Sequence, residues 1–108
     1  MSIPTAHSTV RWKEQRLRRE HVDYYARYRA VVELLAEDLE RFHRFYEAKQ
    51  LLIGQEDGTW LLILNTEEDD GTINPPPALI TLEFNYSRQT VHLVEITFTK
   101  EARLTASL

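Results

Sequence analysis

The sequence predicts an α+β fold in which a long N-terminal amphipathic helix, or a helical hairpin, packs on an antiparallel β-meander of three to four strands. Three observations lead there. No proline or glycine falls between Pro4 and Gly54, so nothing punctuates a helix over that stretch. Beyond Gly54 the apolar period changes from 3.6 to 2. The chain has 108 residues, enough for one core and too few for two, so both halves belong to a single domain. Its expected parts are a flexible N-terminus (1–8), a helical segment (9–50), an antiparallel sheet (51–99) and a tail (100–108).

In the helical half, turning ~100° per residue with Tyr28 as reference, Val10, Leu17, His21, Tyr24, Val31, Val32, Leu35, Leu39, Phe42, Tyr46 and Ile53 all fall within about 60° of one direction. A helical hairpin usually resets this phase at its turn. The unbroken phase favours one helix from an N-cap at Ser8 or Thr9 to about Gln50, with Asp23 or the Glu37-Asp38 pair as the places where a hairpin would open. Tyr24 and Tyr28, in the tyrosine-rich stretch HVDYYARYR, sit on the apolar stripe and are expected in the core rather than under nucleic-acid bases. From Tyr24 onward the stripe widens through Leu34, Phe45 and Leu52 to nearly half the circumference, more than one sheet covers. A helix of about forty residues is also about 60 Å long, roughly twice the diameter of a domain this size. A homodimer with Leu34, Phe45 and Leu52 in its interface is therefore expected.

In the second half, Asp57-Gly58 marks a hairpin turn between a strand near Leu51 to Gly54 and a strand Thr59 to Asn65. Trp60 to Leu64 is apolar on both faces, so this strand is either covered twice or part of an interface. TEEDDGTINPPP reads as an exposed loop, with four acids, an Asp-Gly pair and three prolines. ALITLEFNY alternates, with Ile80, Leu82, Phe84 and Tyr86 on one face. In TVHLVEITFT the alternation places Val94, Ile96 and Phe98 inward and Glu95, Thr97 and Thr99 outward, which also sends His92 inward.

The net charge of −4 is unevenly spread. Residues 7–30 hold seven arginines and lysines against three acids, a balance of +4 that leaves −8 for the rest. Such segregation suits recognition by opposite charge. The candidate partner-binding residues are Arg11, Arg16, Arg18, Arg19, Arg27 and Arg29 on the basic segment, and Glu67, Glu68, Asp69 and Asp70 on the acidic one. The basic segment of one copy meeting the acidic body of another is one form this takes.

Chemistry is harder to assemble. The chain has no cysteine, which removes thiolate nucleophiles, thiolate metal sites and disulfides. Glu40 and His43 have the E-x-x-H spacing of di-iron carboxylate proteins, but Glu40 points about 120° from the stripe and the inward carboxylates that must join such a pair are missing. Glu67 to Asp70 lacks the alternating ligands of a calcium loop. No serine stands in a glycine-flanked elbow and no glycine loop cradles phosphate. Arg16 and His21 have the R-x4-H spacing of all-helical HEPN ribonucleases, a spacing an arginine-rich helix meets by chance. No catalytic residue, metal or cofactor is assigned. No apolar run reaches a membrane span or follows a basic leader, so a cytoplasmic protein is expected.

The order of helices then antiparallel strands, together with the closing pattern LITLEFNYSRQTVHLVEITFTKEAR, resembles the last hairpin of RelE/ParE-type toxins over about a quarter of the chain. That resemblance implies a ribonuclease or gyrase-targeting toxin, with Arg88, His92, Lys100 and Arg103 as the residues that would touch RNA. The charge points elsewhere, since residues 51–108 hold nine acids against three bases and phosphate contacts dominate affinity for RNA. The expected function is a non-enzymatic protein-binding regulator of inhibitor, immunity or adaptor type, acting as a homodimer. The toxin and a nucleic-acid-binding protein using the basic helix are the alternatives.

Overall fold

A computed structural model describes residues 8–100; the expectations for residues 1–7 and for the tail from residue 101, Arg103 included, lie outside the described residues. The fold is α+β, with helices α1 (Ser8–Glu20), α2 (Val22–Glu37) and α3 (Leu39–Ala48) preceding the strands. The expected single helix is thus three. It is interrupted at His21 (φ −138°, ψ 66°) and Asp38 (φ −148°, ψ 85°), both outside helical geometry.

The two interruptions have different causes. Asp38 is an N-cap whose carboxylate accepts from Arg41 N at 3.3 Å, and Gln89 Oε1 accepts from Leu39 N at 3.3 Å, so two orphan donors of α3 are satisfied. His21 makes no side-chain cap bond. That bend is held by what lies on either side of it. Lys13 Nζ meets Glu95 Oε1 at 2.9 Å and Arg16 lies 4.1 Å over the Phe98 ring, while beyond the bend Tyr24 Oη donates to Ala78 O at 2.7 Å.

Neither bend resets the apolar phase, because single hydrogen bonds carry the helical count into and out of each: His21 N to Leu17 O, Tyr25 N to His21 O, Asp38 N to Leu34 O and Phe42 N to Asp38 O. Val10, Leu17, Tyr24, Tyr28, Val32, Leu35, Leu39, His43 and Tyr46 are all buried. The stripe is thereby wrapped over the sheet within a molecule whose longest dimension is 40 Å. With the rod bent twice, helix length no longer calls for a second copy. Leu52, expected in a dimer interface, is 2% exposed and covered within its own chain, whereas Leu34 and Phe45 remain exposed.

The strands are β1 (Leu52–Gly54), β2 (Trp60–Leu62), β3 (Thr66–Glu67), β4 (Ile73–Asn74), β5 (Ala78–Asn85) and β6 (Thr90–Phe98). The antiparallel sheet runs β1-β2-β5-β6, and β3-β4 forms a separate two-stranded ribbon. Asp57 accepts from Thr59 N at 3.0 Å and Gly58 takes φ 86° in the β1–β2 turn, a left-handed conformation that suits glycine. The expected loop 66–77 is instead the β3-β4 ribbon followed by three prolines. Asp70-Gly71 turns it, with Gly71 at φ 87° and Glu68 N bonded to Thr72 O at 2.8 Å. The prolines have no N–H to offer and are anchored by their carbonyls, Thr99 Oγ1 donating to Pro76 O at 2.9 Å and Thr99 N to Pro77 O at 3.0 Å.

One irregularity changes a face. Thr81 pairs with Glu95 but Leu82 with Leu93, so Val94 is an extra residue, a β-bulge. Val91 and Leu93 before it, and Ile96 and Phe98 after it, all point into the core. His92, expected inward by strict alternation, is exposed on the opposite face, and Val94 is only partly buried.

The core lies between the helices and one face of the sheet. Leu17, Tyr28, Val32, Leu35, Leu39, Leu62, Ile80, Leu82, Leu93 and Ile96 are fully buried there, each contributing about 1.5–3 kcal/mol relative to exposure. Tyr28 Oη donates to Glu14 Oε2 at 3.0 Å, tying α1 to α2. Burial and the neighbouring Glu14 carboxylate push the Tyr28 phenol well above its ordinary range, so it stays a neutral donor.

Candidate docking surfaces on the sheet and the first helix

Helices α1 to α3 cover one face of the sheet, and among the described residues no helix lies on the other. Register places Ile53, Leu61, Thr81 and Glu95 in one row across all four strands, and Leu79 beside Thr97 in the next. Ile63, whose N–H bonds Leu51 O at 2.8 Å, follows directly on β2, two residues beyond Leu61. Ile53 is 47% exposed, and Leu61, Ile63 and Leu79 are half-buried with no helix above them among the described residues. A one-sided antiparallel sheet ordinarily alternates with polar residues on its wet face. Here β2 and its neighbours carry four aliphatic side chains there, flanked by Glu83, His92 and Glu95.

The basic segment divides in two. Arg16 bonds Glu20 at 3.1 Å and covers Phe98. Arg27 Nη1 donates to Asn65 O at 2.7 Å, holding α2 to the chain leaving β2. Arg29 lies 3.8 Å from Glu14 and 3.7 Å from Glu33. These three arginines are engaged within the fold. Arg11, Arg18 and Arg19 are exposed on α1, and among the described residues no ion pair engages them. Trp12 stands with them at 56% exposure, a residue that the stripe analysis left unassigned.

The acidic residues ride on the β3-β4 ribbon. Glu67 lies in β3. Glu68 accepts from Asn74 Nδ2 at 2.9 Å, and Asp70 accepts from Thr72 N at 2.9 Å; those hydrogen bonds from Thr72 hold the Asp70 carboxyl below its ordinary pKa. Glu68, Asp69 and Asp70 are all exposed. Ile73, in the same ribbon, is 67% exposed. An open cleft separates this ribbon from α1, lined on one side by Arg16, Glu20 and His21 and on the other by Asn74, Pro75 and Pro76.

The chain matches no protein-family model, no curated protein and no solved structure. What it does must therefore be argued from these surfaces.

One buried polar group stands apart from them. His43, 8% exposed, sits among the rings of Trp60, Phe84 and Tyr86 at centroid distances of 4.1, 5.1 and 5.7 Å, and its Nε2 has no hydrogen-bond partner. Desolvation lowers its pKa, opposed by the Glu47 carboxylate one turn further along α3. Glu40 is exposed on another side of the helix, so the E-x-x-H pair does not converge. Among the described residues no three His, Asp or Glu side chains gather as metal ligands, and no described helix is long and apolar enough to cross a membrane.

Of the sequence-derived sites, the structure brings Arg11, Arg18 and Arg19 together on one helix and Glu68 to Asp70 on one ribbon. Arg16, on the same helix, and Arg27 and Arg29, on α2, are instead engaged within the fold. Leu34 and Phe45 lie on α2 and α3 with partial exposure of 37% and 48%, and Lys49 Nζ sits 4.8 Å over the Phe45 ring. The open sheet face was foreshadowed only by the doubly apolar run Trp60 to Leu64.

Proposed function

We propose that the chain is a non-enzymatic protein-binding regulator, of inhibitor, immunity or adaptor type, whose partner docks on the open face of the sheet. The observation carrying this is the contiguous aliphatic patch of Ile53, Leu61, Ile63 and Leu79 on a strand surface that, among the described residues, no helix covers. Apolar side chains on a wet face favour association and add little to folding, which is the signature of a binding surface. The flanking Glu83, exposed beside this patch, suits a partner with an apolar centre and a basic margin.

The test is affinity capture from a native lysate with the wild-type chain and with Leu61→Thr/Leu79→Thr, threonine being at home in strands. A protein retained by the wild type and lost from the double variant is the expected result. Identical retention by both would sink the reading.

A ribonuclease remains the second reading because the β5–β6 register sets His92 directly opposite Glu83, with both side chains exposed. A carboxylate and an imidazole together are one pair able to serve as general base and general acid in RNA cleavage. On that reading the purified chain cleaves RNA and His92→Ala abolishes cleavage; RNA left intact by the wild type removes it.

A further inference from the structure

We propose that a second copy of this chain docks on the outer face of α1 through its β3-β4 ribbon, the two copies exchanging these contacts reciprocally about a two-fold axis. The two patches are opposite in charge. One presents Arg11, Arg18 and Arg19 around an exposed tryptophan, Trp12, at 56%. The other presents Glu68, Asp69 and Asp70 beside an exposed isoleucine, Ile73, at 67%. An aromatic and arginines are the residue types that anchor protein interfaces, and each patch supplies what the other lacks.

The patches do not satisfy each other within one chain. No ion pair among the described residues joins Arg11, Arg18 or Arg19 to Glu68, Asp69 or Asp70. The cleft between α1 and the ribbon is lined by Arg16, Glu20, Asn74 and Pro75, and none of the patch residues lines it. A two-fold arrangement that sets each α1 against the partner's ribbon forms both contacts at once, so the assembly closes at two. A nucleic acid on α1 is disfavoured by the net charge of −4 and by the acidic ribbon across the cleft, which repels phosphate. This contact uses neither the open sheet face nor Leu34 and Phe45, and it stands independently of the partner-binding reading.

The experiment is sedimentation of the full chain over a concentration series, at low salt and at about 1 M salt, where the screening length shrinks to about 3 Å. The expected species at low salt has twice the monomer mass of 12.7 kDa, and it dissociates as salt rises. Two charge-reversed chains then decide the surfaces: Arg18→Glu/Arg19→Glu on α1, and Glu68→Arg/Asp69→Arg on the ribbon, with Asp70 left in place because it holds the turn. All four positions are exposed, and circular dichroism checks that each variant is folded. Each variant alone is expected to associate about 100-fold more weakly. Their equimolar mixture is expected to recover a dimer, because every contact in the mixed pair is attractive again. Leu61→Thr is expected to sediment as the wild type does. A wild-type monomer at all concentrations overturns the proposal, as do reversals that leave the dimer intact, a mixture that stays monomeric, or loss of the dimer in Leu61→Thr. A wild-type monomer whose Arg18 and Arg19 are needed to bind a single-stranded oligonucleotide would assign α1 to nucleic acid instead.

Discussion

The two faces of the sheet are built from the same strands and the same kinds of residue, yet they have opposite fates. On one face Leu62, Ile80, Leu82, Leu93 and Ile96 are 0% exposed. On the other, Ile53 is 47% exposed and Leu61, Ile63 and Leu79 keep partial contact with water. The helices, bent twice to follow the covered face, make the difference. Leucine on β2 is therefore a folding residue at position 62 and an association residue at position 61.

The sharpest way to break this comparison is to substitute across it. Leu82→Ala should lower the unfolding free energy by about 2–5 kcal/mol, the range for a large side chain removed from a packed core, whereas Leu61→Thr should change it by less than about 1 kcal/mol. Guanidinium unfolding of both variants reads the difference directly. Equal losses would mean that the open face is covered after all. A smaller effect probes how the covering layer is fastened: Tyr28→Phe should cost about 1–3 kcal/mol, because it strips a hydrogen bond from the Glu14 carboxylate. Glu14→Gln in the same background tests the assignment, since the pair is coupled and the two losses should not add.

The smallest expected effect is a dependence on pH at the end of the covered face, where His43 is enclosed. Its folded pKa is lowered by burial, so between the ordinary imidazole value and that lower one the unfolded chain binds a proton that the folded chain does not. Stability should therefore fall as pH falls through that window, level off below it and be fully present above it. His43→Leu should flatten that part of the profile in thermal melts. A slope of the opposite sign in the wild type would place the imidazole in a solvated or ion-paired setting.

Much of the covered face was legible in the residues, and the reason is specific. The apolar stripe could be read from Val10 to Tyr46 because the bends at His21 and Asp38 keep the helical count. The same continuity hid the bends, since a cap such as Asp38 acts through local hydrogen bonds that periodicity does not register. The strands behaved oppositely. Side chains alternate with period two, so the single extra residue at Val94 moved His92 to the other face. In the acidic segment, composition spoke for exposure, but the Asp70-Gly71 turn folds it into a ribbon. Among the candidate binding residues, charge alone could not tell Arg18 and Arg19, which face outward, from Arg16, Arg27 and Arg29, whose partners come from distant parts of the chain or from the next helical turn. Trp12 was passed over because it falls off the stripe.

The contact between Lys13 and Glu95 joins residues 82 positions apart, and it bears on the order in which the molecule is made. The first helix rests on the last strand, so during synthesis Val10 and Leu17 must wait for β6 to leave the ribosome before their shelter exists. Until then the greasy side of the nascent helices is open to chaperones, to sister chains and to the pairing of β5 with whatever strand arrives first.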